Sequence, residues 1–406
     1  MVNRLKNLRC TIRLVPRPVV DPVPMMDFAR QYAPLREEIL DAITRVCDSQ
    51  AFILGPTVEA FEDSAAAACS TSFAVGCASG TDALWLEIAA AGIGTSTGPR
   101  TGDAIVTTPF SFFASASAIV RAGARPIFAD IDPRTFNLSA ESVAEVLHGP
   151  AAESVRAILP VHLYGQCADF DALSEVAANR GILLLEDAAQ AFGALWQGRP
   201  AGSLGVAAAF SFYPTKNLGA MGDAGLVTTS DEHIAARLRS LRSHGMTRRY
   251  YHDEMGWNAR MDAIQAAVLA VKLRHLADWN QQRRQKAARY NELFRAAGLV
   301  SASSTAEGIM LPWTDSRAEH VFHQYVVRVP RRDALREHLA QSGIGSEIYY
   351  PVPLHLQDAL ADLGYRPGDF PQAEAAAREV LALPIYPELR NDEQRTVVEA
   401  IRAFYS

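Results

Sequence analysis

A chain of 406 residues can bury a large core, and its length suggests two domains, with 49% hydrophobic and 21% charged residues as in an ordinary globular protein. The formal net charge of −6 argues against nucleic acid as the main partner, which would call for a basic stripe. No run reaches the roughly 18–20 unbroken apolar residues of a membrane span, so no membrane partner is expected.

Cys10, Cys47, Cys69, Cys77 and Cys167 are scattered, odd in number and without a C-x-x-C pair. That usage fits a reduced, cytoplasmic protein, and no cluster of His and Cys points to a metal. The first stretch, 1–24, is a basic extension carrying Arg4, Lys6, Arg9, Arg13 and Arg17. It lacks the continuous apolar segment of a signal peptide.

From about residue 27, Phe28, Tyr32, Leu35, Ile39, Leu40 and Ile43 recur at helical spacing, and a second amphipathic stretch follows Gly55-Pro56. Short apolar runs then alternate with helix-like segments: Ala104–Thr108, Pro126–Asp130, Ala157–Leu163, Ile182–Glu186, Ala207–Phe212 and Gly225–Thr229. Runs apolar throughout suit strands covered on both faces, so an α/β domain with a largely parallel sheet is expected over 25–259. Asp262 is placed to cap a long helix with Ile264, Val268 and Val271 on one face, running toward Leu276. Tyr325–Val329 reads as a strand, and 260–406 as a smaller C-terminal α+β domain. Gly92–Gly102, rich in Gly, Ser and Thr, reads as a surface loop.

Ligands of α/β sheets sit beyond the carboxyl ends of the strands, so the polar residues that follow these runs carry the interest. Gly181–Leu185 ends in Glu186-Asp187-Ala188-Ala189-Gln190. An acid there is a helix cap, a structural ion pair, or a partner that keeps a heterocyclic nitrogen protonated. Ala207–Phe212 leads into Tyr213-Pro214-Thr215-Lys216-Asn217-Leu218-Gly219, where one lysine in apolar surroundings is either a surface residue or an amine nucleophile. Ser79-Gly80-Thr81-Asp82 opens a helix and offers either a simple cap or free amides for a phosphate. Pro109-Phe110-Ser111-Phe112-Phe113 supplies aromatics for core packing or for stacking on a flat ring.

Taken together, Ser79–Leu84, Thr108–Ser115, Glu186–Gln190, Ser211–Leu218 and Gly256–Ala267 resemble the signature segments of the DegT/DnrJ/EryC1/StrS family of sugar aminotransferases. The similarity runs from about residue 25 to the C-terminus. It implies the aspartate-aminotransferase type of fold and the cofactor pyridoxal 5′-phosphate, held as a Schiff base on Lys216, which then serves as acid and base. By the same resemblance Asp187 pairs with the pyridine nitrogen, Gln190 lies beside the ring's phenolate oxygen, and Phe112 stacks on its face. Gly80, Thr81 and Ser211 bind the phosphate. Asn258 matches a residue that reaches the phosphate of a neighbouring subunit, which implies a homodimer with shared sites; its plainer reading is a turn or cap residue. Arg248, Arg249 and Tyr250 would lie near that shared site, the basic pair facing a nucleotide diphosphate or simply solvent, and His323 and His355 would line the sugar pocket, although core or surface packing is the plainer reading for each histidine.

The implied reaction is transfer of an amino group from an amino acid, glutamate above all, to a keto sugar carried on a nucleotide diphosphate, in ping-pong order. A dehydratase branch of the family carries histidine where Lys216 stands, and Leu163–Asp169 resembles members that act on 3-keto sugars. A keto-cyclitol acceptor is the alternative within the same chemistry. A regulatory protein that binds the cofactor without turnover is the alternative outside it, and the joint presence of Lys216, Asp187 and Gln190 argues against a pure sensor. The chain departs from the family pattern in its basic extension and in the lengthened loop Gly94–Arg100.

Overall fold

A computed structural model describes residues 22–94, 102–301 and 308–406. The basic extension and nearly all of the loop Gly94–Arg100 lie outside these residues.

Four strands, Arg125–Phe128, Ala104–Thr107, Val155–Leu159 and Leu183–Leu184, pair in that order and all run parallel. The chain continues through Leu185 into Glu186–Asp187, which joins a second set in the order Glu186–Asp187, Ala208–Ser211, Gly225–Thr229 and Phe73–Cys77. Bonds from the Leu185 amide to Ile158 and from the Glu186 amide to Ala207 make the two sets one continuous sheet. Gly225–Thr229 is antiparallel to both neighbours. The apolar runs thus become strands as expected, and the sheet is largely rather than wholly parallel. Phe73–Cys77 is an additional edge strand.

Why these runs are apolar throughout follows from where alternate residues go. Val106, Ile158, Ala208, Phe210 and Leu226 point into one buried cluster, while Ile105, Ala157, Leu159, Ala209 and Val227 point into another. Successive side chains on a strand face opposite ways, so a sheet covered on both faces needs apolar residues at every position. The first cluster is closed by helices Arg36–Ser49, Pro56–Ala68 and Ala263–Leu273, and the second by Gly80–Ala90 with Glu232–Leu241. Asp262 sits at the N-cap position of Ala263–Leu273, but its side chain makes no capping hydrogen bond. That helix stops at Leu273, and a new one begins at Leu276 and runs to Ala296.

A separate core gathers Tyr290, Phe294, Tyr325, Val327, Leu335, Leu339, Leu381, Leu383 and Ile401. Here Tyr325–Arg328 pairs antiparallel with Val380–Leu383. The opposite face of this pair turns Val326 and Ala382 toward Phe128 at a strand end and toward Phe110 and Tyr164 beyond the strands. Residues far apart in sequence therefore meet at one seam, beside the carboxyl ends of the parallel strands.

One buried ion pair ties the edge strand to the rest. The Arg242 guanidinium binds the carboxylate of Glu62 and, at 2.7 Å, the carbonyl of Gly76; the Gly76 amide donates to the same carboxylate at 2.7 Å. Both side chains are over nine-tenths buried. Removing one partner strands the other's charge in the core, so Glu62→Ala is expected to lower the unfolding free energy by about 3–5 kcal/mol in urea titrations. A loss well below about 1 kcal/mol would mean that the pair does not lock this edge.

Candidate active site

The loop after strand Ala208–Ser211 is clasped from several sides. The Ala220 amide returns to the Phe212 carbonyl at 2.8 Å, and the Lys216 amide bonds Tyr213 at 2.8 Å. The buried Lys272 amine donates to Gly219 at 2.6 Å, and the neighbouring Asn217 side chain donates to Asn280 and to the Val321 carbonyl at 2.8 and 3.0 Å. A rigid support of this kind fixes where the Lys216 amine can go. Burial pushes Lys216 down to about 8, against the opposing pull of Asp187.

Glu186 and Asp187 are successive strand residues, so they face opposite ways. Glu186 turns inward. Its carboxylate accepts from the amides of Gly202, Leu204 and Gly205, each at 2.8 Å, and contacts His162 Nε2 at 3.0 Å. The Ala168 amide donates to His162 Nδ1 at 3.1 Å, which leaves the ring proton on Nε2, aimed at Glu186. Asp187 turns toward Lys216. The Ser115 hydroxyl donates to its Oδ2 at 2.6 Å and the Ala189 amide to its Oδ1 at 3.2 Å. Burial pushes the Asp187 carboxyl up, while Ser115, Ala189 and then Lys216 pull it back.

Gln190 spans the seam. Its Oε1 accepts from the Tyr164 amide at 2.6 Å and its Nε2 donates to the Tyr350 hydroxyl at 3.1 Å. Tyr164 holds a left-handed backbone (φ 59°), and its hydroxyl donates to the Tyr349 carbonyl. Phe112, exposed, stands with its ring centre 6.2 Å from that of Tyr350.

Helix Gly80–Ala90 begins nearby. The Ser79 hydroxyl accepts from the Asp82 amide at 3.1 Å, which leaves the Gly80 and Thr81 amides without an intrahelical acceptor. A Cβ at Gly80 would collide with Ser211, so only glycine lets the hydroxyl of Ser211 come up to this helix start. Bare amides, a hydroxyl and the helix dipole together form an anion cradle.

His323 is buried with Nδ1 3.3 Å from Asn217 Oδ1, and burial, then Lys216, pushes it well below its usual value. It is therefore a neutral imidazole beside the lysine loop. His355 lies elsewhere: it bonds Glu374 at 3.2 Å and packs edge-on against Phe370. Arg248, Arg249 and Tyr250 sit on the exposed hairpin Met246–His252, with Arg248 stacked on Tyr251 at 3.7 Å. Asn258 is exposed and bridges to Ser243. Among the described residues, no hydrogen bond or ring contact joins Asn258 or the hairpin to Lys216 or Asp187. Ser115, Asn217, Tyr164 and Tyr350 belong to the cluster although the sequence did not single them out. Ser115 ends a segment that the resemblance covers, and Tyr350 had no local signal.

The matching family model spans residues 34–402 and describes the DegT/DnrJ/EryC1/StrS aminotransferases. Among relatives, a "pleiotropic regulatory protein" of Geobacillus stearothermophilus is 45% identical, over 94% of this chain and 98% of its own. The dTDP-3-amino-3,4,6-trideoxy-alpha-D-glucose transaminase of Streptomyces venezuelae is 43% identical over 94% and 95%. In solved structures, S. venezuelae DesV in complex with a ketimine intermediate superposes with a TM-score of 0.88 at 42% identity, covering 95% of this chain and 99% of that one. The cradle at Gly80, Thr81 and Ser211 and the Lys216–Asp187 pairing fit pyridoxal phosphate, which has an anionic tail, an aldehyde and a ring nitrogen. The chain belongs to the DegT/DnrJ/EryC1/StrS aminotransferase family, the pyridoxal-phosphate-dependent sugar aminotransferases.

Proposed function

We propose that this enzyme moves an amino group from L-glutamate to a nucleotide-diphosphate-linked 3-keto sugar, in ping-pong order. The observation that carries the reading is the pairing of an amine lowered to about 8 with a buried carboxylate in one cleft. The 3-amino product named for the S. venezuelae relative supports the ring position.

When bound, pyridoxal phosphate supplies the aldehyde that captures amines and the ring that takes up electrons. Lys216 Nζ holds the cofactor covalently. As a free amine beside the bound cofactor, Lys216 Nζ would be the group that takes a proton from the donor's α-carbon and gives one to the acceptor carbon. Asp187, fixed by Ser115 and Ala189, keeps the ring nitrogen protonated. Gly80, Thr81 and Ser211 would hold the phosphate, Gln190 would serve the ring oxygen, and Phe112 would cover one face. Neutral His323, near Lys216, faces the sugar without adding charge.

The same reading makes the protein a homodimer in which Asn258 reaches the partner's phosphate and Arg248 and Arg249 approach the nucleotide diphosphate. The exposed apolar side chains of this region, among them Tyr250, Met255 and Trp257, support it, because such surface is seldom left to water. Sedimentation should give twice the 44.1 kDa chain mass; a monomer at micromolar concentration would remove the shared site.

Lys216→Ala is expected to abolish turnover with glutamate and a keto sugar when no small amine is added, as read by keto-acid release. Normal turnover in that variant would end the assignment. The lowered amine also fixes a pH profile. Below about 8 most Lys216 is ammonium and cannot capture an aldehyde, so uptake of pyridoxal phosphate by the apoprotein should quicken about tenfold per pH unit and level off above about 8. A rise continuing unchanged to pH 10 would show an ordinary, solvated lysine.

A further inference from the structure

Glu87 lies wholly buried within helix Gly80–Ala90, among Ala83, Leu84, Leu86, Ile88 and Ala89. Its Oε1 accepts from the Glu186 amide at 3.1 Å, the same amide that bonds the Ala207 carbonyl. Its Oε2 is buried and has no partner among the described residues. A carboxylate here would leave negative charge on an oxygen with no donor. A carboxylic acid instead keeps Oε1 as the acceptor and carries its proton on Oε2.

Among the described residues, no cation offsets the burial of Glu87. Burial above all pushes Glu87 well above the usual carboxylate range, and the nearby Glu186 and Asp187 add to that rise against the hydrogen bond from the Glu186 amide. Strands Ala208–Ser211 and Gly225–Thr229 bring no titratable group, and Phe73–Cys77 brings only the Cys77 thiol. Of the packed helices, Ala114–Arg121 has Arg121 bound to Asp82. Glu232–Leu241 has Arg237 bound to Glu254, Arg239 over Phe73, and Glu232 and His233 in solvent.

We propose that Glu87 is a positioning residue for Asp187: an un-ionised carboxyl, pinned on the Glu186 peptide, that fixes the strand end while leaving Asp187 as the carboxylate presented to the cofactor's ring nitrogen. The inference rests on the proposed role of Asp187. The proposed chemistry makes no use of Glu87, yet its acceptor oxygen holds the Glu186 amide, one residue before Asp187. The un-ionised form adds a hydrogen bond without adding a charge. An apolar residue would drop the bond, and an ionised one would compete with Asp187 for the ring's positive charge.

Two readouts test this. In the cofactor-free protein at pH 7, the infrared difference between wild type and Glu87→Gln should contain the carbonyl stretch of a protonated carboxylic acid; its absence overturns the proposal. In the loaded enzyme, the pH titration of cofactor absorbance should be the same for Glu87→Gln as for wild type, since an amide keeps the neutral acceptor. In Glu87→Ala it should move by at least about half a pH unit. A displaced profile for Glu87→Gln, or an unmoved one for a folded Glu87→Ala, overturns the role. If Glu87→Ala does not fold, the infrared band and the Glu87→Gln profile still decide. Asp187→Asn separates the two claims. Should it leave the profile unmoved, the reading of Asp187 falls and the role of Glu87 with it. Should it shift the profile while the infrared band is missing, only Glu87 falls.

Discussion

Lys216 and Asp187 share one desolvated cleft, and burial acts on them in opposite senses, lowering the amine and raising the carboxyl. Water would erase both effects, because each form would be solvated at little cost. The large sheet and its helices can be understood as what keeps that cleft dry and its occupants in place. Two apolar clusters cover both faces of the sheet, and the smaller core closes the seam from the side. Asp187 opposes the desolvation of Lys216, whereas Ser115, Ala189 and then Lys216 oppose that of Asp187.

Placing a carboxylate at a strand end raises the question of how its neighbours avoid adding charge of their own. Glu186, one residue earlier, is turned to the other side of the pleat and met by three amides and the His162 ring proton. Its charge is thereby spread over fixed dipoles and does not compete for the cleft. The loop that supplies those amides needs Gly205 without a side chain, since a Cβ there would strike the Leu184 carbonyl. A turn on one side of the strand therefore conditions the electrostatics on the other.

Much of this was legible in the residues because burial on both faces writes itself as unbroken apolar runs. The parallel strands and the polar segments after them could be placed for that reason. The same cause hides strand direction: Gly225–Thr229 is as apolar as its parallel neighbours, and nothing in it marks that it runs the other way. Phe73–Cys77 is only five residues long, and Ser70-Thr71-Ser72 between it and the alanine-rich helix is the one local signal that marks its start. Ser115, Tyr164 and Tyr350 escaped for a different reason. Ser115 and Tyr350 meet Asp187 and Gln190 through their hydroxyls and Tyr164 meets Gln190 through its backbone amide, and the local sequence carries no trace of partners dozens of residues away. The ring of His355, assigned to the sugar pocket by resemblance alone, packs against Phe370 and bonds Glu374.

The contacts of Gln190 explain why the site belongs to the folded whole rather than to either half. Its carbonyl is held by the Tyr164 amide from the large sheet's loops, and its amide group by the Tyr350 hydroxyl from the C-terminal part. Tyr164 in turn reaches the Tyr349 carbonyl, so two bonds cross the seam within a few residues. On the far side, Arg121 lies 4.6 Å above Trp85 and 5.6 Å from the ring of Trp257 while it binds Asp82. The stack links the helix that starts the anion cradle to the segment carrying Asn258. Such cross-links are individually modest, about 0.5–1.5 kcal/mol for a hydrogen bond. Their effect is geometric: they couple the phosphate end, the ring end and the outer segment, so a shift in one is felt at the others.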